Sequence, residues 1–342
     1  MSQFTIKDLA RKLGVSPSTV SRALRGHPDI SQATRQRVAD AAEKYHYHPN
    51  QLAQSLQKKR SNVIGVIVPE IRHHFFSNAI SGVEEVAYDN GYTIMVCQSN
   101  ETLAREILNV QALVSNRVAG LLIAISSETT RFDHLARVIR QNVPLVQFDR
   151  VVEELDTGKV VVDDYAASFG AVEHLIAAGY RRIGHMAGQA GIALNRKRFE
   201  GYRDALAAHG LPLEEEFHLF GGYREEDGRA GAELYLAMDE LPEAILAIND
   251  PVAVGLYTRF KEAGVRIPDD VALVGFSDTP AAALIDPALT TVYQPAFDMG
   301  RTAVSLLLRQ FAEGADFTPE TVVLETELRV RGSSAPREGL CN

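Results

Sequence analysis

Cysteine is nearly absent. The 342 residues contain two, Cys97 in a strand-like run and Cys341 near the C-terminus. Two cysteines so far apart provide no disulfide framework and fit a reducing cytoplasm. No run of about 18 apolar residues occurs, which excludes a helical membrane span. The start, MSQFTIKDLA, lacks the basic-then-apolar order of a secretory leader. No Gly-x-Gly-x-x-Gly follows a strand-like run and no P-loop is present, so nothing marks a nucleotide-dependent enzyme. His73-His74 and the pair His46 and His48 lack a full ligand set, so no metal is assigned. No Ser/His/Asp arrangement stands out, and no cofactor is implied. Tryptophan is missing as well, which excludes nothing. The apolar fraction of 46% and charged fraction of 23% are those of an ordinary soluble globular chain.

Positive charge is concentrated at one end. Residues 1–60 hold 11 Lys and Arg against 4 Asp and Glu, a balance of +7. The whole chain is at −9, so residues 61–342 carry −16. A basic arm on an acidic body suits a polyanion at one end only. Within that arm, Thr5 to Leu13 places Ile6, Leu9, Ala10 and Leu13 at helical spacing. Thr5 and Asp8 have capping-box spacing, and Gly14 supplies the left-handed residue that ends the helix. Ser16 then caps a second helix with Pro17 at its first position. Val20, Ala23 and Leu24 turn inward, which leaves Ser18, Ser21, Arg22 and Arg25 outside. The pattern predicts a helix-turn-helix whose second helix enters a DNA major groove. A third helix, Ser31 to Tyr45, carries an inward stripe of Val38, Ala41, Ala42 and Tyr45. Asn50 to Gln57 can form only a short helix, marginal by itself in water. Lys58 to Asn62 reads as a charged linker.

From Val63 the pattern changes. Apolar runs alternate with helical segments: VIGVIV, TIMVCQ, GLLIAI, PLVQFD, VVVDD, RIGHMAG, AILAIND and VALVGFSD. Runs apolar on both faces and separated by helices predict parallel sheets covered on both sides. The fold class expected is α/β: a three-helix helix-turn-helix domain, then a two-lobed core of doubly wound sheets. One half should end near Asp149 and the other begin after it. LTTVYQP, a helix and TVVLETELRVR follow. Ligands of such sheets sit beyond the carboxyl ends of the strands. Those ends carry Pro69-Glu70, Asp149-Arg150, Gly188, Asn249-Asp250 and Ser277-Asp278, with Arg198 in a following loop. The chemistry suits a polyhydroxylated ligand or a small heterocycle. Asp250 and Asp278 also stand at good N-cap positions.

These residues carry a resemblance to the LacI/GalR family of bacterial repressors over nearly the whole chain. The matching motifs are VSPSTVSRAL, YHPNQLAQSL, VIVPEIRHHFF, RFEGY, AIND, VALVGFSD and LTTVYQPAFDMG. Singly each is weak, but their order and spacing are specific. The resemblance implies a core like periplasmic sugar-binding proteins, a cytoplasmic homodimer, and a double-stranded operator of two half-sites. It implies DNA contacts at Thr5, Ser16, Pro17, Ser18, Ser21, Arg22, Arg25, Asn50 and Leu56, with Arg22 on a guanine and Leu56 wedged into the minor groove. It implies effector contacts at Phe75, Phe76, Asp149, Arg198, Tyr223, Asn249 and Asp278. The effector implied is a small molecule, a carbohydrate first and a purine-type corepressor second. Many relatives have an acid where this chain has Ser277. The family's tetramer-forming tail is absent.

The domain boundaries that follow are 1–48 for the helix-turn-helix, 49–61 for hinge and linker, 62–333 for the core, and 334–342 for a flexible tail. The competing functions are a solute-binding protein, which a DNA domain argues against, and an enzyme, for which no motif is present.

Overall fold

The computed structural model describes residues 4–24, 26–45, 47, 61–189 and 191–336. The chain divides into two compact units, residues 1–61 and 62–342.

Among its described residues the first unit has three helices, α1 (Ile6–Leu13), α2 (Pro17–Leu24) and α3 (Gln32–Lys44). Each begins and ends for a visible reason. Thr5 and Asp8 form the capping box, with the Thr5 backbone N–H donating to the Asp8 carboxylate at 3.1 Å. Gly14 adopts φ 66° and closes α1. Ser16 accepts from the Thr19 N–H at 3.1 Å, and Ser31 from the Thr34 N–H at 3.3 Å. The apolar faces meet in a small core of Leu9, Ala10, Val20, Ala23, Ile30, Val38, Ala41 and Tyr47. Phe4 stacks on Tyr45 beside it, ring centroids 4.9 Å apart.

The second unit has two lobes, each built on a six-stranded sheet. Strands β1 (Val63–Val68), β2 (Thr93–Gln98), β3 (Gly120–Ile123), β4 (Leu145–Phe148), β5 (Gly158–Val162) and β11 (Thr321–Leu324) form the first sheet. Its order is β11-β5-β4-β3-β1-β2, all parallel. Strands β6 (Ile183–Ala187), β7 (His218–Phe220), β8 (Ala244–Ala247), β9 (Ala272–Ser277), β10 (Thr290–Tyr293) and β12 (Glu327–Arg329) form the second. Its order is β12-β10-β9-β8-β6-β7, parallel except for β12. Helices α4 (His74–Asp89), α5 (Leu103–Ser115), α6 (Asp133–Arg140) and α12 (Ala296–Glu313) serve the first lobe. Helices α7 (Asp164–Ala177), α8 (Ala193–Ala208), α9 (Glu225–Leu236), α10 (Asp250–Glu262) and the short α11 (Pro280–Leu284) serve the second. Helix α12 crosses α4 where Gly300 faces Ala79. A Cβ at Gly300 would stand 1.9 Å from the Ala79 carbonyl oxygen, so only glycine permits this approach.

Three expectations need correction. The first lobe does not end near Asp149. Val160–Val162 is paired with β4 and β11, so the crossing comes after Val162. The run TVVLETELRVR is not one strand: β11 lies in the first sheet and β12 in the second. The tail from residue 334 is not loose at its start. Ser334 is fully buried, its hydroxyl 2.7 Å from His174 Nε2, and the Tyr180 hydroxyl donates to the Ala335 carbonyl at 2.7 Å. The chain thus passes between the lobes three times, after β5, after β10 and between β11 and β12.

Candidate functional site

In the helix-turn-helix, α2 buries Val20 and Ala23 and turns Pro17, Ser18 and Arg22 out, with Ser21 half-buried. Arg22 forms no ion pair or side-chain hydrogen bond among the described residues, so its guanidinium fork is available to a base edge. Two of the residues implied as DNA contacts also hold helix ends. Thr5 shares its hydroxyl with Asp8 at 2.6 Å, and the Ser16 hydroxyl lies 2.7 Å from that of Ser18 and 2.8 Å from that of Thr19. Arg25, Asn50 and Leu56 lie outside the described residues.

In the core, the strand ends of both lobes meet at a cleft. It is lined by Phe75, Phe76, Asp149, Arg198, Tyr223 and Asn249, six of the seven residues implied as effector contacts. His73, Arg150, Leu194, Ile248, Ser277 and Gln294 complete it. The space left in this cleft is about 30 Å³, enough for about two waters.

Asp278 is the exception. Its carboxylate is engaged by Arg329 and Arg331, the latter at 2.7 Å, and does not line the cleft. The neighbouring Ser277 faces the cleft instead, its hydroxyl donating to Gln294 Oε1 at 3.0 Å. The backbone makes the exchange: Ser277 at φ 120° and Asp278 at φ 55° turn the strand end so that successive side chains diverge. Nor are Asp250 and Asp278 the helix caps. Asn249 caps α10, its Oδ1 accepting from the Val252 N–H at 2.9 Å, and Thr279 precedes α11. Asp250 instead accepts from the Thr291 hydroxyl at 2.6 Å and the Thr279 N–H at 2.5 Å, tying the ends of β9 and β10 to α10.

Two buried arginines shape the cleft. Arg198 donates through Nε to Asp164 at 2.8 Å and through Nη1 to the Ile248 carbonyl, with its guanidinium 3.5 Å from the Phe276 ring centroid. Its Nη2 has no protein partner among the described residues. Arg150 donates through Nη1 to both Glu101 oxygens at 2.8 Å and lies 3.9 Å from the Tyr223 ring centroid. Burial raises the Glu101 carboxyl, but the Arg150 charge overcomes it and holds the group below its usual range. Asp149 has no such bond. Burial pushes its carboxyl up to about 7 against the pull of Arg150, whose Nε is 3.9 Å away, and of Arg198. Its backbone sits at φ 59°, a strained setting for a non-glycine residue.

Other groups in the cleft lack partners. His73 Nδ1 and Gln294 Nε2 are buried without a hydrogen bond among the described residues. Burial and the neighbouring Arg150 push the His73 imidazole down to about 4, so it is neutral at pH 7. Asn249 donates Nδ2 to the Tyr223 carbonyl at 2.9 Å, so a ligand would compete for only part of its amide. Arg150 and Ser277 were expected as strand-end residues but not as effector contacts, and His73 and Gln294 were expected as neither. All but His73 stand at strand ends, where the strand-end rule reaches them, and Gln294 lies within LTTVYQPAFDMG.

The comparisons agree with this architecture. Residues 5–50 match the bacterial regulatory proteins of the lacI family, and residues 172–334 a periplasmic binding protein-like domain. The chain is 33% identical over 307 residues to the HTH-type transcriptional repressor PurR of Photobacterium profundum, covering 90% of this chain and 91% of that protein. The structure of the lac repressor dimer bound to operator and the anti-inducer ONPF matches with a TM-score of 0.86 at 27% identity, over 98% of this chain and 100% of that one. The complex of the transcriptional regulator CelR with cellobiose matches with a TM-score of 0.72 at 28% identity, over 96% and 99%. No helix among the described residues is long and apolar enough to cross a membrane. With a capped reading helix at one end, a two-lobed cleft at the other and relatives aligned along almost their full length, the chain belongs to the LacI family of bacterial regulatory proteins.

Proposed function

We propose that this protein is a cytoplasmic repressor that binds a twofold operator as a homodimer and changes its affinity when a polyhydroxylated small molecule enters the cleft. The observation that carries the ligand class is the set of polar groups facing the cleft whose hydrogen-bonding capacity is not used. His73 Nδ1 and Gln294 Nε2 are buried without a partner among the described residues, the Asp149 carboxyl makes no hydrogen bond there beyond its 3.9 Å approach to Arg150, and Arg198 keeps Nη2 to donate. Sugar hydroxyls donate and accept at once and would satisfy all four. Arg22 reads the operator, and Leu56, in the hinge, is the wedge at its centre. The boundaries are those given above, 1–48, 49–61 and 62–333, with Ser334 and Ala335 added to the core.

A cleft of this size admits a sugar only after opening. Ligand and operator are therefore coupled through the lobe angle, and the shift equals the ligand's differential affinity for the two states. A second reading, a planar heterocycle such as a purine, is supported by the three rings that face the cleft, Phe75, Phe76 and Tyr223. Thermal shift against a panel of sugars, nucleosides and nucleobases, followed by gel shift on operator DNA with each hit, separates the two. Loss of specific DNA binding in the ligand-free and the ligand-bound protein alike would reject the repressor reading.

A further inference from the structure

The central cleft is not the largest space between the lobes. A second cavity of about 510 Å³ lies beside it, within the size range of small-molecule sites. No residue lines both. The chain alternates across the wall between them: Arg150 and Leu194 face the cleft, whereas Val151 and Asn195 face the second cavity. Asn195 and Tyr223 close the wall, with Asn195 Nδ2 donating to the Tyr223 hydroxyl at 2.5 Å.

The lining is apolar and aromatic. Val151 and Val152 come from the first lobe; Ile192, Phe199, His218 and Phe220 come from the second. The His218 ring stands 4.4 Å from Phe199 and 4.5 Å from Phe220, edge to face with the latter. Burial lowers the His218 pKa, so the ring adds no charge at neutral pH. Glu153 lies at the rim, already engaged by Arg196 at 2.5 Å and Lys197 at 2.9 Å. Two buried polar atoms of the lining, Asn195 Oδ1 and His218 Nδ1, have no hydrogen-bond partner among the described residues. Asn195 is 5% exposed. Its Oδ1 can only accept, and the neutral His218 ring lies among aromatic walls, so the chamber selects a neutral ring carrying an N–H or O–H for Asn195.

We propose that this chamber is a second ligand site, distinct from the central cleft, for a neutral aromatic or alicyclic ring with one hydrogen-bond donor directed at Asn195 Oδ1. Such a ring reaches it either as a substituent of the cleft ligand or as a separate molecule.

The test uses the full chain and N-phenyl-1-naphthylamine, a neutral fluorescent aromatic amine. One saturable site per chain is expected, with enhanced, blue-shifted emission. Phe220 is 61% exposed, so changing it leaves the fold intact. Phe220→Asp should weaken the probe by about tenfold or more, because it replaces an aromatic wall with a charge. Phe220→Ala should weaken it less, and His73→Ala, in the cleft, should leave it unchanged. Absence of saturable binding, or equal affinity in the wild type and both Phe220 variants, would overturn the proposal. Displacement of the probe by phenyl β-D-glucoside but not methyl β-D-glucoside identifies a substituent of the cleft ligand. Simultaneous binding of probe and sugar identifies a separate molecule. The probe titration requires neither operator nor sugar, so its outcome is independent of the repressor reading.

Discussion

Arg150, from the first lobe, holds its guanidinium 3.9 Å from the ring centroid of Tyr223, from the second. The contact joins the two halves across the cleft, both residues being buried, and Glu101 keeps the cation in place from behind. A cation over an aromatic face contributes about 0.5–2 kcal/mol, more as it is desolvated. Tyr223→Leu should therefore shift the ligand-free protein toward an open cleft. Small-angle scattering would read this as a larger radius of gyration; an unchanged value would show that the stack does not hold the lobes.

Arg22 is expected to carry more operator specificity than any other single residue of α2. A bidentate Arg–guanine contact contributes about 1–3 kcal/mol of discrimination. Arg22→Ala should lose that much on operator DNA and much less on scrambled DNA, measured by fluorescence anisotropy at one fixed salt concentration. Equal losses on both sequences would place Arg22 on the phosphate backbone.

Arg198 is a costlier residue to change than its ligand role alone suggests. Its Nε pairs with the buried Asp164, and removing one member of a buried pair costs about 3–5 kcal/mol because the other is left uncompensated. Arg198→Ala should lose ligand response together with several degrees of thermal stability. Asn249→Ala, which removes the α10 cap, should cost only about 1 kcal/mol. Differential scanning calorimetry of the two variants should rank them in that order.

Asp149 gives stability a pH dependence. Its carboxyl titrates near 7 in the folded protein and near 3.8 as an ordinary side chain. Between those values the folded state holds a proton that the unfolded chain has released, so stability falls as pH rises from about 4 to 7. Asp149→Asn should flatten that slope and gain most at pH 8. A melting temperature that changes equally at pH 4 and pH 8 would assign the effect to packing instead.

Two helix-turn-helix units must be held about 34–36 Å apart to read successive half-sites. Sedimentation of the full chain at micromolar concentration should show a dimer. A monomer there would contradict a twofold operator, and a stable tetramer would contradict the dimer as the final assembly.

Much of this was legible in the sequence because local signals and tertiary structure coincide. Thr5, Gly14, Ser16 and Ser31 announce helix ends by their own chemistry, and each does so in the structure. Six of the seven residues implied as effector contacts by strand ends and family motifs do line the cleft. What was hidden depends on long-range pairing. Nothing in VVVDD shows that β4 and β11 will claim it for the first lobe, and nothing in TVVLETELRVR marks the crossing at its middle. Asp278 was misplaced for the same reason. Its partners Arg329 and Arg331 are some fifty residues away, and a left-handed turn at Ser277 decides which of the two neighbours faces the ligand.

The triple passage between the lobes has a mechanical consequence. A single connector would let two bodies twist and slide freely. Three connectors leaving neighbouring strands, β5 with β11 and β10 with β12, resist torsion and translation and leave bending as the soft motion. They also make the join redundant: cleavage of any one connector leaves the other two holding both lobes in register, so a protease nick there would appear on a denaturing gel well before it released either half.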